Sequence, residues 1–212
     1  MHFANIAVHV VAGSIALVIG FLILLKEKGT AGHQRLGLAF LWMTLLVCST
    51  AAIGTIFFRF LPAFAVLSLL VPYQLFGGWR AVRTRERGPM RIDAGALLIA
   101  LLLALPLTME VLGHGRRLTA VDYSAVGALG LILAYDAAKW TFPRSWHGAI
   151  WRYEHSYKMT ASVFAMLSAL IGNVVRIGQP WSQLAPSVIG LVVIAVSFVR
   201  LRQRQVSGKE CQ

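Results

Sequence analysis

Seven stretches of this chain are nearly free of charge and about as long as a bilayer core is thick: Asn5–Leu25, Leu36–Phe58, Phe60–Trp79, Ile92–Val111, Asp122–Ala138, Lys158–Val175 and Gln183–Val199. A helix rising 1.5 Å per residue needs about 20 predominantly apolar residues to cross the hydrocarbon core. Inside lipid the backbone must satisfy its own hydrogen bonds, and runs of this length do so as helices. Composition agrees, with 58% of the 212 residues hydrophobic and only 13% charged, where a soluble domain carries roughly 25% charged. The sequence therefore predicts an all-α polytopic membrane protein. Residues 1–201 form a single bundle of seven transmembrane helices, followed by a basic cytoplasmic tail over 202–212. Arg59, Phe60 and Leu61 before Pro62 suit a tight turn between the second and third helices, and Pro72 and Pro106 are expected to kink the third and fourth.

The net charge of +12 is mostly a statement about topology. Of the 20 lysines and arginines, 16 fall in the alternate connections 26–35, 80–91 and 139–158 and in the tail from 200; the opposite side holds Arg59, Arg116, Arg117 and Arg176. Cytoplasmic loops retain such cations, so the N-terminus is expected outside and the C-terminus in the cytoplasm, with the plasma membrane as the location. The first run has no basic segment before it and Lys26 and Lys28 after it, which reads as a retained helix and not as a cleaved signal. No loop is long enough for the contiguous basic face that a nucleic-acid partner requires. The connection 139–158 is rich in Trp, Tyr and basic residues. Trp146, Ile150, Tyr153 and Tyr157 recur in it at helical spacing, predicting a short interfacial helix that runs into the sixth span.

Several chemistries drop out. Cys48 lies within an apolar run and Cys211 in the tail, at different depths, so no disulfide joins them, and two scattered cysteines match no zinc or iron–sulfur spacing. The seventh span has no lysine for a retinal Schiff base. Gly-x-Ser-x-Gly, His-Glu-x-x-His and a phosphate-binding glycine loop with its lysine are also absent from the sequence.

The six histidines separate into two layers. His33 and His155 stand at the basic mouths of the second and sixth spans, at similar depth, with His147 beyond them. His2, His9 and His114 lie towards the other side. A transmembrane haem takes two imidazoles at one depth from different helices, and a histidine at a helix mouth also serves as a water-exposed anchor. His2, His114 and His147 read as ordinary surface residues. Small and polar residues share a face with the others. On the sixth helix these are His155, Met159, Ser162, Met166, Ala169 and Asn173; on the first, Asn5, His9, Gly13, Ala16 and Gly20; Gly37 lies one turn after His33. Such stripes serve close helix packing or leave space for a flat macrocycle. Asp136, about a turn inside the fifth span, is expected to pair with Lys139, or else to act as a proton-relay carboxylate; Glu154 and Lys158 form an i,i+4 pair.

The stretch HVVAGSIALVIGFLILLKEKGTAGHQRLGLAFLWM resembles the N-terminal signature of an uncharacterised bacterial membrane family, domain of unknown function 2306. The matching positions are His9, Gly13, Lys28–Gly29, His33 and Gly37. EHSYKMTASVFAMLSALIGNVV is similar to that family's second block, with His155, Met159, Ser162 and Asn173 in register. The resemblance implies a multi-pass membrane protein without a settled activity, and it points to His9, His33 and His155 without supporting His114.

The leading expectation is a redox membrane protein that holds haem b between His33 and His155. Met159, Gly37 and His9 belong to the cofactor's surroundings, and quinone or a redox protein is the electron partner. A proton-coupled or small-molecule carrier is the alternative, with His9, Asn5, Asp136, Asn173 and Ser162 as intramembrane polar groups. The third is a non-catalytic assembly or sensor protein whose Trp-rich loop meets lipid or a partner.

Overall fold

In the computed structural model the described residues, 2–113, 117–175 and 177–210, fold into seven α-helices with no strand among them. They are α1 (His2–Leu25), α2 (Ala31–Phe57), α3 (Pro62–Thr84), α4 (Arg91–Gly113), α5 (Ala120–Ala138), α6 (Arg144–Val174) and α7 (Trp181–Glu210), with 3₁₀ turns at Arg85–Arg87 and Lys139–Thr141. All but α6 are long and apolar enough to cross a membrane, which makes the chain a multi-pass membrane protein. His114, expected near the outer surface, Arg116, Arg176 and Cys211 lie outside the described residues.

The helix starts follow local chemistry. Thr30 caps α2 by accepting the His33 backbone N–H at 3.2 Å. Thr119 and Asp122 form a reciprocal capping box at α5, satisfying two of the orphan amides of its first turn. Pro62 occupies the first turn of α3, where a missing N–H costs nothing. Helices α3 and α4 continue through Pro72 and Pro106, and α7 through Pro186.

Three features differ from expectation. The interfacial segment and the sixth span are one helix: α6 has 31 residues, or about 46 Å at 1.5 Å per residue, longer than a hydrocarbon core of about 30 Å. Its charged first half belongs to the same unbroken helix, which begins at Arg144 and is the one helix of the seven not apolar enough along its length to cross a membrane. His147, expected at the surface, is 7% exposed, because this half of α6 packs on the Arg85–Arg87 turn with the imidazole against Gly88. The basic segment from 202 continues α7 as helix as far as Glu210.

Helix α3 is the centre of the bundle and packs against α2, α4, α5 and α6. On one side Ala12, Ala16, Phe40, Val47, Leu75, Val163 and Met166 join α1, α2, α3 and α6. On the other, Val66, Leu70, Ala104, Leu129 and Ile132 join α3, α4 and α5. The outer helices turn large apolar side chains outward, including Leu102 and Leu105 of α4 and Leu191 and Val192 of α7. A contiguous apolar exterior of this kind is solvated by lipid.

The small residues mostly serve packing. A Cβ at Gly20 would lie 2.9 Å from Val163 and 3.1 Å from Phe40, and one at Gly190 would lie 2.7 Å from the ring of Phe164. Gly37 and Gly130 face open space. Gly190→Ala is thus expected to cost about 1–3 kcal/mol by overpacking against a rigid ring. It should lower the thermal midpoint in detergent by roughly 2–8 °C, while Gly130→Ala leaves the midpoint unchanged or raises it. Equal midpoints for the two variants would contradict the contact between α6 and α7.

Candidate functional site

The first half of α6 gathers the connections at the basic end of the bundle. His147 meets Gly88 after α3, Glu154 meets Lys139 after α5 at 2.8 Å, and Tyr153 donates to Gln205 of α7 at 3.2 Å. His155 stacks edge-on to His33 of α2, with ring centroids 6.5 Å apart and an interplanar angle of 77°. The sequence places polar residues here on every face of α6, so each can meet a different neighbour.

Two centres result. The first is an ion cluster. Lys158, 1% exposed, donates to both oxygens of Asp136 at 2.7 and 2.9 Å and to Glu154 Oε1 at 2.8 Å. Glu154 Oε1 also accepts from Lys139. Two cations and two carboxylates leave the group neutral. Tyr135 presents its ring 5.8 Å from the Lys158 ammonium, which adds a cation–π attraction. Gly77 provides the space, since a Cβ there would sit 2.6 Å from Lys158 Nζ. Ser162, also fully buried, donates to the Lys158 carbonyl at 2.8 Å and lies 3.4 Å from Gln74 Oε1. A cavity of about 20 Å³ borders the cluster, lined by Tyr73, Gly77 and Lys158 and by Arg80 and Asp93; this is room for a water molecule. Arg80 holds Asp93 through two hydrogen bonds, at 2.8 and 3.0 Å, the fork geometry that favours arginine over lysine.

The second centre is the histidine pair. His155 Nδ1 lies 2.9 Å from the Gly78 carbonyl. As the N–H donor in that contact it leaves Nε2 as the acceptor, the arrangement that orients a metal-ligating imidazole. His33 Nδ1 is buried without a hydrogen-bond partner, an arrangement a folded chain tolerates where another group completes the site. Bonds of about 2 Å from two opposed imidazoles to one ion put their centroids roughly 6 Å apart, close to the observed separation. No group of three or more His, Cys, Asp or Glu side chains gathers for a metal among the described residues. A metal at this pair would have to bring most of its own ligands, as haem iron does. Two imidazoles from different helices are the donor set such a group takes. Met159, one turn along α6, packs beside Gly78, and the open flank of Gly37 lies one turn from His33. Lys28 donates to the Ile23 and Leu24 carbonyls at the end of α1; burial holds its pKa below the usual lysine value.

The remaining polar residues go elsewhere. His9 Nδ1 meets Thr50 Oγ1 at 2.9 Å and Asn5 donates to the Thr50 carbonyl at 3.1 Å, so both are satisfied in the α1–α2 seam. Asn173 donates to Ala169 of its own helix and is exposed. His9, Asp136 and Asn173 therefore do not line one path. Asp136 pairs with Lys158 and not with Lys139, which bonds Glu154 instead. The sequence does not single out Gly77, Gln74 or Arg80, and it offers Lys158 only as the local partner of Glu154. The signal that marks Lys158 is its place one turn before Ser162 on the small-residue face, where a solvated lysine has no reason to be.

Comparison with known proteins finds no matching family model, no similar curated protein and no similar solved structure.

Lys158→Met leaves Asp136 buried without its cation and is expected to destabilise the protein by about 3–5 kcal/mol. The double variant Lys158→Met with Asp136→Asn should recover a large part of that loss, since no uncompensated charge remains between the two positions. Thermal unfolding of the single and double variants in detergent measures the coupling. Simple additivity would show that the two side chains do not interact.

Proposed function

We propose that this protein is a multi-pass redox protein of the bacterial inner membrane that holds haem b between His33 and His155 and exchanges electrons with quinone or a redox protein. The observation that carries the reading is the pair itself: two imidazoles from different helices, 6.5 Å apart, one oriented by a backbone carbonyl and the other with a buried ring nitrogen lacking a partner. When bound, haem supplies one-electron chemistry. The chain supplies the rest. The Thr30 cap sets the first turn of α2 and with it His33. The Gly78 carbonyl orients His155, and the apolar core of α1, α2, α3 and α6 keeps water from the flank beneath them. The concentration of cations at this end supports a cytoplasmic position for it, with the N-terminus outside.

A proton-coupled carrier is the second reading, favoured by the buried Asp136–Lys158 pair beside a polar cavity. In that case the protein is colourless and Asp136→Asn abolishes uptake.

The test is a dithionite-reduced minus air-oxidised visible spectrum of protein purified from cells supplied with haem precursor. A sharp α-band at near-stoichiometric haem is expected, lost in His33→Ala and in His155→Ala and unchanged in His9→Ala, whose ring is held by Thr50. A flat spectrum from well-folded wild-type protein overturns the haem reading.

A further inference from the structure

Apart from both centres, the turn after α3 carries an arginine in an unusual backbone conformation. Arg85 has φ 45° and is the one non-glycine residue with positive φ among the described residues. L-residues with larger side chains adopt such angles where the surrounding structure imposes them, often at sites that clamp a ligand. Here the imposition is visible. His147 and Trp151 lie one turn apart on α6. The His147 imidazole occupies the space a Cβ at Gly88 would need, 2.7 Å away, and the Arg85 guanidinium lies over the Trp151 ring, 5.6 Å from its centroid. Arg152 lies against the same ring at 5.2 Å. Two exposed guanidinium groups are thus brought to one indole.

Neither has an anionic partner among the described residues. Arg85 Nε donates to the Val82 carbonyl at 3.3 Å, which leaves its terminal nitrogens available. The nearby acids are otherwise placed: Glu154 is committed to Lys139 and Lys158, and exposed Glu86 lays its side chain along Gly148. A second pair of the same kind stands half a turn before Arg85, with Arg83 4.9 Å from the Trp79 ring. Tryptophan marks the headgroup level of a bilayer, and this rim lies where α3 ends and the apolar half of α6 begins.

We propose that Arg85 and Arg152, set on Trp151, form a binding site for the phosphate of an anionic phospholipid headgroup. Guanidinium stays charged at any working pH and matches phosphate with paired N–H donors. Contact with the one indole restricts both groups, and the lipid's acyl chains would run along the exposed apolar faces of the bundle. This site is independent of whether haem binds.

The experiment is a native mass-spectrometric titration of the detergent-purified full chain with dioleoyl phosphatidylglycerol and, separately, dioleoyl phosphatidylcholine. Wild-type protein is expected to take the first phosphatidylglycerol in preference to phosphatidylcholine. Near an anionic surface each arginine is worth about fivefold, so R85Q/R152Q should bind that lipid roughly 30-fold more weakly. R152Q alone, which leaves the Arg85 turn intact, should lose about fivefold. R144Q/R200Q removes two exposed cations elsewhere and should bind as wild type does. The proposal is overturned if wild type shows no preference between the lipids, if R85Q/R152Q binds phosphatidylglycerol as wild type does, or if R144Q/R200Q loses as much. Competition by millimolar inorganic phosphate would assign the site to a soluble anion and overturn it as well.

Discussion

Burial of the Lys158 ammonium is the constraint around which the basic end of the bundle is arranged. A lone buried ammonium would be too costly to keep charged, so carboxylates must reach it from more than one helix. Asp136 does so from α5 and Glu154 from α6 itself. Glu154 in turn draws in Lys139, which ties the turn after α5 to α6. The two consecutive glycines of α3 then serve both centres. Gly77 leaves the notch into which the ammonium fits, and Gly78 lets Met159 and the Lys158 stem pack close while its carbonyl meets His155. The depth of the histidine pair is therefore set by the same contact that seats the ion cluster. Lys158 is three residues from His155, and a shift of one would carry the other.

The seven helices are legible in the sequence because the apolar runs are long and the cations fall in alternate connections. Depth along a span is a matter of counting residues, which is why residue spacing alone puts His33 and His155 at one level. Partners across helices are not legible in that way. Asp136 has a lysine three residues on, and a local pair is the reading that sequence distance favours; the actual partner is 22 residues away, on α6. The shared face of α6 is legible as a direction but not as an environment. Ser162 on that face is buried against α3, while Asn173 on the same face is exposed at the helix end. Small residues are ambiguous for the same reason. Gly20 and Gly37 look alike in the sequence, yet the space beside one is filled by Val163 and Phe40 and the other is open.

The charged half of α6 misleads for a different reason. Three cations, one carboxylate and two histidines between Arg144 and Lys158 make it read as a loop with an interfacial helix. Its charges, however, are matched by neighbours or placed at the rim, so the helix continues without a break. His147 is the clearest consequence. Its distance from the apolar span points to water, yet it is covered by a turn of chain that passes close because position 88 is a glycine at φ 74°.

The arrangement also weighs between the two proposed functions. A carrier that used Asp136 and Lys158 to move a proton or solute would have to separate them in each cycle, and breaking a buried pair costs several kcal/mol unless a ligand replaces the lost partner. The adjoining cavity holds about one water, too little to solvate both charges, so a carrier would also have to open α3 from α5 along the Val66–Ile132 core. A redox centre at His33 and His155 asks for no such movement. The ion cluster can then remain closed throughout, fixing α5 and α6.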